Sequence, residues 1–126
     1  MPYSAYIFHV AWKVQLHLEV ALWLERLSTK EYENVIAAMD ALKIDGPALG
    51  RPFVDHVSGS KHKKMKELRV PNGNIRLLFA FDSERHAIFL VGGDKTNDWV
   101  NWYRRNIPIA DERFDNHLEQ VKRRKP

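Results

Sequence analysis

Residues 64–91 read KMKELRVPNGNIRLLFAFDSERHAIFLV, and the fold turns on how this stretch is divided. Runs rich in aliphatic and aromatic residues predict strands over Lys64 to Val70, Ile75 to Phe81 and His86 to Val91. Pro71-Asn72-Gly73-Asn74 and Asp82-Ser83-Glu84-Arg85 separate them as turns, which predicts an antiparallel meander. In the first strand Met65, Glu67 and Arg69 share one face, while Leu68 and Val70 on the other seek a core. Glu67 and Arg69 should therefore stand together on the open face. Arg76 interrupts the apolar second strand and needs either an internal partner, Glu67 or Asp82, or an external anion.

Upstream, Tyr6 to Val14 predicts a first strand. Leu16, Val20, Trp23, Leu24 and Leu27 follow at helical spacing. Ser28 and Glu31 form a capping-box signature for a second helix carrying Tyr32, Val35, Ile36, Met39 and Leu42, stopped by Gly46-Pro47. The two make a helical hairpin, and residues 46–59 read as a loop. Downstream, Gly92-Gly93 should close the sheet and bring Asp94 and Lys95 to its rim. A short helix at Trp99, Trp102 and Tyr103 should break before Pro108, and a last helix should carry Ala110, Phe114, Leu118 and Val121. One sheet burying a face against a helical hairpin makes the class α+β, in a single domain over residues 1–126.

Charge is unevenly placed. The net is +4, but residues 51–76 hold seven Lys or Arg against two Asp or Glu, beside His56 and His62. That cluster suits a polyanion or a solvated edge equally well. The chain has no cysteine, which excludes a disulfide scaffold or a thiolate nucleophile. Neither a signal peptide nor a membrane span is expected, since Val20-Ala21-Leu22-Trp23-Leu24 is too short to cross a bilayer. The six histidines lack ligand spacing, and no phosphate-loop, zinc-protease or nucleophile-elbow motif occurs, so neither metal nor cofactor is expected. One carboxylate among several cations suits RNA cleavage by the RNA's own 2′-hydroxyl. Such a surface would also hold DNA or a protein.

Gly50-Arg51-Pro52, Lys66-Glu67-Leu68-Arg69, Arg76 to Asp82 and Gly92-Gly93-Asp94-Lys95-Thr96 occur in an order and spacing that resemble the RelE/ParE toxin superfamily, in its HigB-like, phage-protein-related branch. The likeness runs from Trp12 to about Leu118. It implies a RelE-like fold, with an N-terminal strand and helical hairpin packed on a mainly antiparallel sheet and C-terminal helices beyond. It also implies a type II toxin that cleaves mRNA on the ribosome, without metal, in the cytoplasm. Its partner would be a cognate helix-turn-helix antitoxin, with operator DNA reached only through that antitoxin. Carried across, Arg69 and Arg76 hold the family's basic strand positions, Glu67 takes the place of a lysine, and Asp94 and Lys95 lie near its C-terminal catalytic cation. Tyr103 approximates its tyrosine acid or base. Arg51, Lys61, His62, Lys63, Lys64 and Lys66 are the expected RNA contacts. Two other outcomes stay open within the same fold: a ParE-like gyrase poison, and a non-catalytic relic that binds nucleic acid or antitoxin.

Overall fold

The computed structural model describes residues 12–124. In chain order it forms β1 (Lys13–Leu16), α1 (Leu18–Glu25), α2 (Thr29–Asp45), a 3-10 turn (Gly46–Ala48), β2 (Val54–His56), β3 (Lys66–Arg69), β4 (Ile75–Phe81), β5 (His86–Asp94) and α3 (Trp99–Arg124). The five strands form one sheet in the order β1-β5-β4-β3-β2. The meander is antiparallel as expected, with Glu67 opposite Leu78 and Arg69 opposite Arg76. β1 adds in parallel beside β5.

Each face of the sheet has its own core. Val20, Leu24, Val35, Ala38, Met39 and Leu42 of the hairpin pack on Leu68, Val70, Leu77, Phe79 and Phe89. Trp102, Ile107, Ala110 and Phe114 of α3 pack on Met65, Leu78, Ala80, Ile88 and Leu90 on the opposite face. β4 is covered on both sides, which is why its sequence reads as a continuous apolar run. The capping box forms as expected: the Glu31 amide donates to Ser28 Oγ at 3.1 Å and the Ser28 amide to Glu31 Oε1 at 3.0 Å.

Three readings of the sequence differ here from the structure. Leu16 belongs to β1, paired with Phe89, and α1 starts only after His17, whose Nδ1 accepts from the Glu19 amide. The part of the expected first strand from Tyr6 to Ala11 lies outside the described residues. The segment read as loop contains β2, which pairs with β3 and sets Asp55 opposite Glu67. The two expected C-terminal helices are one, since α3 runs through Pro108. Proline removes one helix hydrogen bond there, but Ile107 and Ala110 on either side keep the buried stripe unbroken.

Gly92 and Gly93 do not close the sheet, because β5 continues to Asp94. A register shift between Leu78 and Phe79 makes Leu78 face Val91 and Phe79 face Phe89, so Leu90 is the extra residue. The bulge reverses the alternation beyond it. Gly92 then lies under Trp23 of the hairpin, and Gly93 under Trp102 of α3, where an added Cβ would come within 2.6 Å of the indole Nε1. Gly93→Ala is expected to push Trp102 outward and destabilise the fold by about 1–3 kcal/mol, read as a lower urea midpoint. An unchanged midpoint would show that α3 is not held at this distance.

α3 is fixed along its length by polar contacts as well. Arg113 Nη1 donates to the Leu90 carbonyl at 2.6 Å, and Asp111 accepts from Ser60 Oγ and the Lys61 amide. His117 Nε2 meets the fully buried carboxylate of Asp82 at 2.8 Å. No helix among the described residues is long and apolar enough to cross a membrane.

Candidate active site

Strand alternation puts Glu67 and Arg69 on the α3 face of β3, and the register adds Arg76 of β4 beside Arg69. The first turn of α3 then lowers Tyr103 onto them. Tyr103 donates its hydroxyl proton to Glu67 Oε1 at 2.5 Å, and Lys95 Nζ donates to the tyrosine oxygen at 3.2 Å. Arg69 donates from Nε and Nη2 to Glu67 Oε2, both at 3.2 Å, and from Nη2 to Asp55 Oδ2. Arg51 completes the chain on Asp55 at 2.9 Å. The result is a continuous line of hydrogen bonds from Lys95 through Tyr103, Glu67, Arg69 and Asp55 to Arg51. It borders a cleft of about 450 Å³ lined by His56, Val57, Ser58, Glu67, Arg69, Lys95, Val100, Tyr103 and Ile107.

A Glu67–Arg76 ion pair, one of the partnerships the sequence left open, is long, with Arg76 Nε 3.9 Å from Glu67 Oε1. Arg76 instead donates from Nη1 to the carbonyls of Ile75 and Gly73 at 3.0 and 3.5 Å, and its buried Nε has no hydrogen-bond partner. It does not line the cleft. It lies behind it, opening with Arg69 on a smaller hollow beside Pro71 and Gly73. Lys95 is also not where the sequence put it: it is 4% exposed rather than on a free rim. Asp94 turns away, its Oδ1 accepting from the Thr96 amide and hydroxyl at 2.8 and 2.6 Å, and these bonds lower its pKa.

Burial and the Glu67 carboxylate together push the Tyr103 phenol up to about 12, against the opposing pull of Arg76. Burial pushes the Lys95 ammonium below the ordinary lysine value, and the charges of Arg76 and Arg69 add to this while Glu67 opposes it. Three cations thus surround one shared carboxylate and one phenol. That arrangement attracts an anion and can pass protons between Lys95, Tyr103 and Glu67.

The basic segment is spread rather than convergent. Lys61 and His62 are both tied to Asp115 of α3, and Arg51 to Asp55. Lys63 is exposed. Lys66 alternates to the other face of β3, 5.5 Å above the Phe81 ring, where burial lowers its pKa. Lys64, Lys66, His56 and His62 border a separate groove of about 680 Å³ floored by Trp12, Phe81, Phe114 and Leu118. His56 borders both spaces. Sequence reasoning missed Asp55 and His56 as site residues because they sit on a three-residue strand inside an apparent loop. One trio of described residues, Asp82, Glu84 and His86, brings ligand atoms within 4.8 Å of one another. It lies at the far end of β4 from Arg76, and both Asp82 oxygens already accept hydrogen bonds.

Residues 22–115 match the model of the phage-derived protein Gp49-like family (DUF891). The chain is 45% identical over 120 residues to the protein named HigB2 of Mycobacterium tuberculosis, covering 93% of this chain and 59% of that one. It therefore spans less than two thirds of that relative. It is 49% identical over 100 residues to HigB3 of the same organism, covering 79% of this chain and 88% of the relative. Among solved structures it resembles the archaeal RelE–RelB complex of Pyrococcus horikoshii, with TM-score 0.56, 18% identity, and coverage of 68% of this chain and 96% of that one. It likewise resembles a mutant of the E. coli toxin RelE in the free state, with TM-score 0.56, 11% identity and coverage of 71% and 90%. The fold is thus RelE-like, and the chain belongs to the Gp49-like family, with HigB2 and HigB3 among its relatives.

Proposed function

We propose that this protein is the toxin of a type II toxin–antitoxin pair, acting in the cytoplasm as a metal-independent endoribonuclease on ribosome-bound mRNA. The observation that carries this reading is the Lys95–Tyr103–Glu67 line of hydrogen bonds, set among arginines at the edge of an open cleft. In the reaction the RNA 2′-oxygen forms a bond to the adjacent phosphorus and the bond to the 5′-oxygen breaks, leaving a cyclic phosphate. Glu67 accepts the 2′-hydroxyl proton by way of Tyr103, which gives up one proton as it takes another. Lys95 supplies a proton to the departing 5′-oxygen. Arg69 faces the charge that builds on the phosphate, and Arg76 adds its positive field from behind the cleft. The need for a 2′-hydroxyl confines the activity to RNA. Lys64, Lys66 and His62 guide the flanking RNA along the second groove, with Arg51, Lys61 and Lys63 as outlying contacts. Asp94 shapes the turn that carries Lys95. The names of the relatives and the RelE–RelB neighbour support a proteinaceous antitoxin, of the helix-turn-helix kind, through which operator DNA would be reached.

A gyrase poison acting by binding alone has no use for a buried tyrosine–carboxylate pair beside a lysine. Expression without the antitoxin is expected to arrest growth and produce new mRNA 5′ ends, while gyrase supercoiling stays normal. Harmless soluble expression, or arrest with inhibited supercoiling and intact mRNA, would overturn the reading. Arg76→Ala is expected to slow cleavage by about tenfold, through loss of a positive field behind the cleft rather than of a direct contact. A variant that melts like the parent and still cleaves at full rate would remove Arg76 from the mechanism.

A further inference from the structure

We propose that Trp99 is a positioning residue of this cleft: its indole face holds the Lys95 ammonium against the Tyr103 hydroxyl. The inference rests on the ribonuclease reading for its catalytic meaning, but its geometry stands apart from it. α3 begins at Trp99, and Tyr103 lies four residues on, so the two rings share one side of the helix. Lys95 Nζ sits 3.6 Å from the centroid of the Trp99 ring and 5.1 Å from that of Tyr103, within reach of both for a cation–π contact. The backbone fixes the approach, with the Lys95 amide donating to the Asn74 carbonyl at 3.1 Å and the Asp98 amide to the Lys95 carbonyl at 3.0 Å.

The charges around this ammonium are unfavourable. Arg69 of β3 and Arg76 of β4 repel it, and Glu67 of β3 is reached only through the Tyr103 hydroxyl. Asp94, next to it in the chain, is engaged by Thr96, and Asp98 by Arg105. No carboxylate among the described residues pairs directly with Lys95. What compensates is the negative face of the indole. Trp99 itself is 53% exposed, so the hydrophobic core does not require so large a side chain at that position. A tryptophan left half in water, with one face closed over a buried lysine, is placed for that lysine. Two consequences follow: the ammonium stays aimed at Tyr103, and it keeps its proton despite its neighbours.

The test compares Trp99→Leu, which keeps an apolar cover without a ring, with Trp99→Phe, which keeps a ring. The full chain, labelled with 13C at lysine Cε, is titrated by NMR, and the Lys95 resonance is assigned by its loss in Lys95→Arg. In Trp99→Leu the Lys95 midpoint is expected to fall by about one pH unit, and in Trp99→Phe by well under that. Cleavage by Trp99→Leu should lose kcat with KM nearly unchanged, and its alkaline limb should move to lower pH, since the acid deprotonates earlier. Melting temperatures should match the parent. If Lys95 titrates in Trp99→Leu as it does in the parent, the inference is overturned even where cleavage falls. If the parent proves inactive on mRNA, the ribonuclease reading fails, while the titration still decides the placement of Trp99.

Discussion

Lys95→Ala is expected to slow mRNA cleavage by about 10²–10⁴-fold, the range that a positioned proton donor contributes. The ammonium faces the cleft, and burial and the charge of Arg76 make it readier to release its proton than an ordinary lysine. Tyr103 is pushed up to about 12 and is a poor acid without it. The arginines cannot take over, because a guanidinium does not give up its proton in this range. Loss of the side chain also leaves Tyr103 without its donor, so the tyrosine should turn more freely about Glu67. Activity must be measured beside a circular dichroism melt, because Lys95 is buried and its truncation leaves a small hollow. A folded Lys95→Ala protein with the parent's cleavage rate would place the acid elsewhere in the cleft.

Asp82→Ala is expected to cost about 3–5 kcal/mol, as breaking a buried, hydrogen-bonded carboxylate network does. Its Oδ1 accepts from the amides of Glu84 and His86, both at 2.9 Å, and its Oδ2 meets His117 Nε2 at 2.8 Å. One side chain therefore closes the β4–β5 turn and ties α3 to it. Removal strands two backbone donors and a histidine. Burial alone would raise this carboxyl, but the bonds from His117, His86 and Glu84 outweigh it and leave the pKa below the ordinary value. A carboxyl depressed in the fold contributes stability above about pH 4 and loses it as pH falls through its folded value. Urea unfolding at neutral pH should show the full difference between parent and variant, and the two should converge in acid. A loss under 1 kcal/mol at neutral pH, or one that does not shrink in acid, would show that this contact is not what holds α3.

The meander was legible because strand patterning, turn residues and the Asn-Gly signal all agree over residues 64–91. Glu67 and Arg69 could be placed on one side from alternation alone, while Arg76 joins them through the β3–β4 register. β2 could not, since three residues containing Asp and His show neither alternation nor β-branched enrichment beyond Val54. The unbroken α3 was hidden by the usual force of proline as a helix breaker, which the buried stripe at Ile107 and Ala110 overrides. The burial of Lys95 was hidden for a different reason. It depends on a helix that starts four residues downstream folding back over its own approach strand, and on a one-residue bulge at Leu90 that no local pattern announces. The dispersal of Lys61, His62 and Lys66 likewise depends on which face each residue meets once α3 is docked, with Asp115 taking up the first two.

The order β1-β5-β4-β3-β2 also constrains how this protein comes into being during translation. β1 has its parallel partner in β5, more than seventy residues later, and Glu67 meets Tyr103 thirty-six residues later. Pairings so distant in sequence form slowly and late. The hairpin α1–α2 emerges before the meander, with its apolar face uncovered until the meander follows it. No partly synthesised chain holds the assembled cleft until the first turns of α3 have left the ribosome. The cleft is therefore the last part of the fold to be completed, after every strand that borders it has been made.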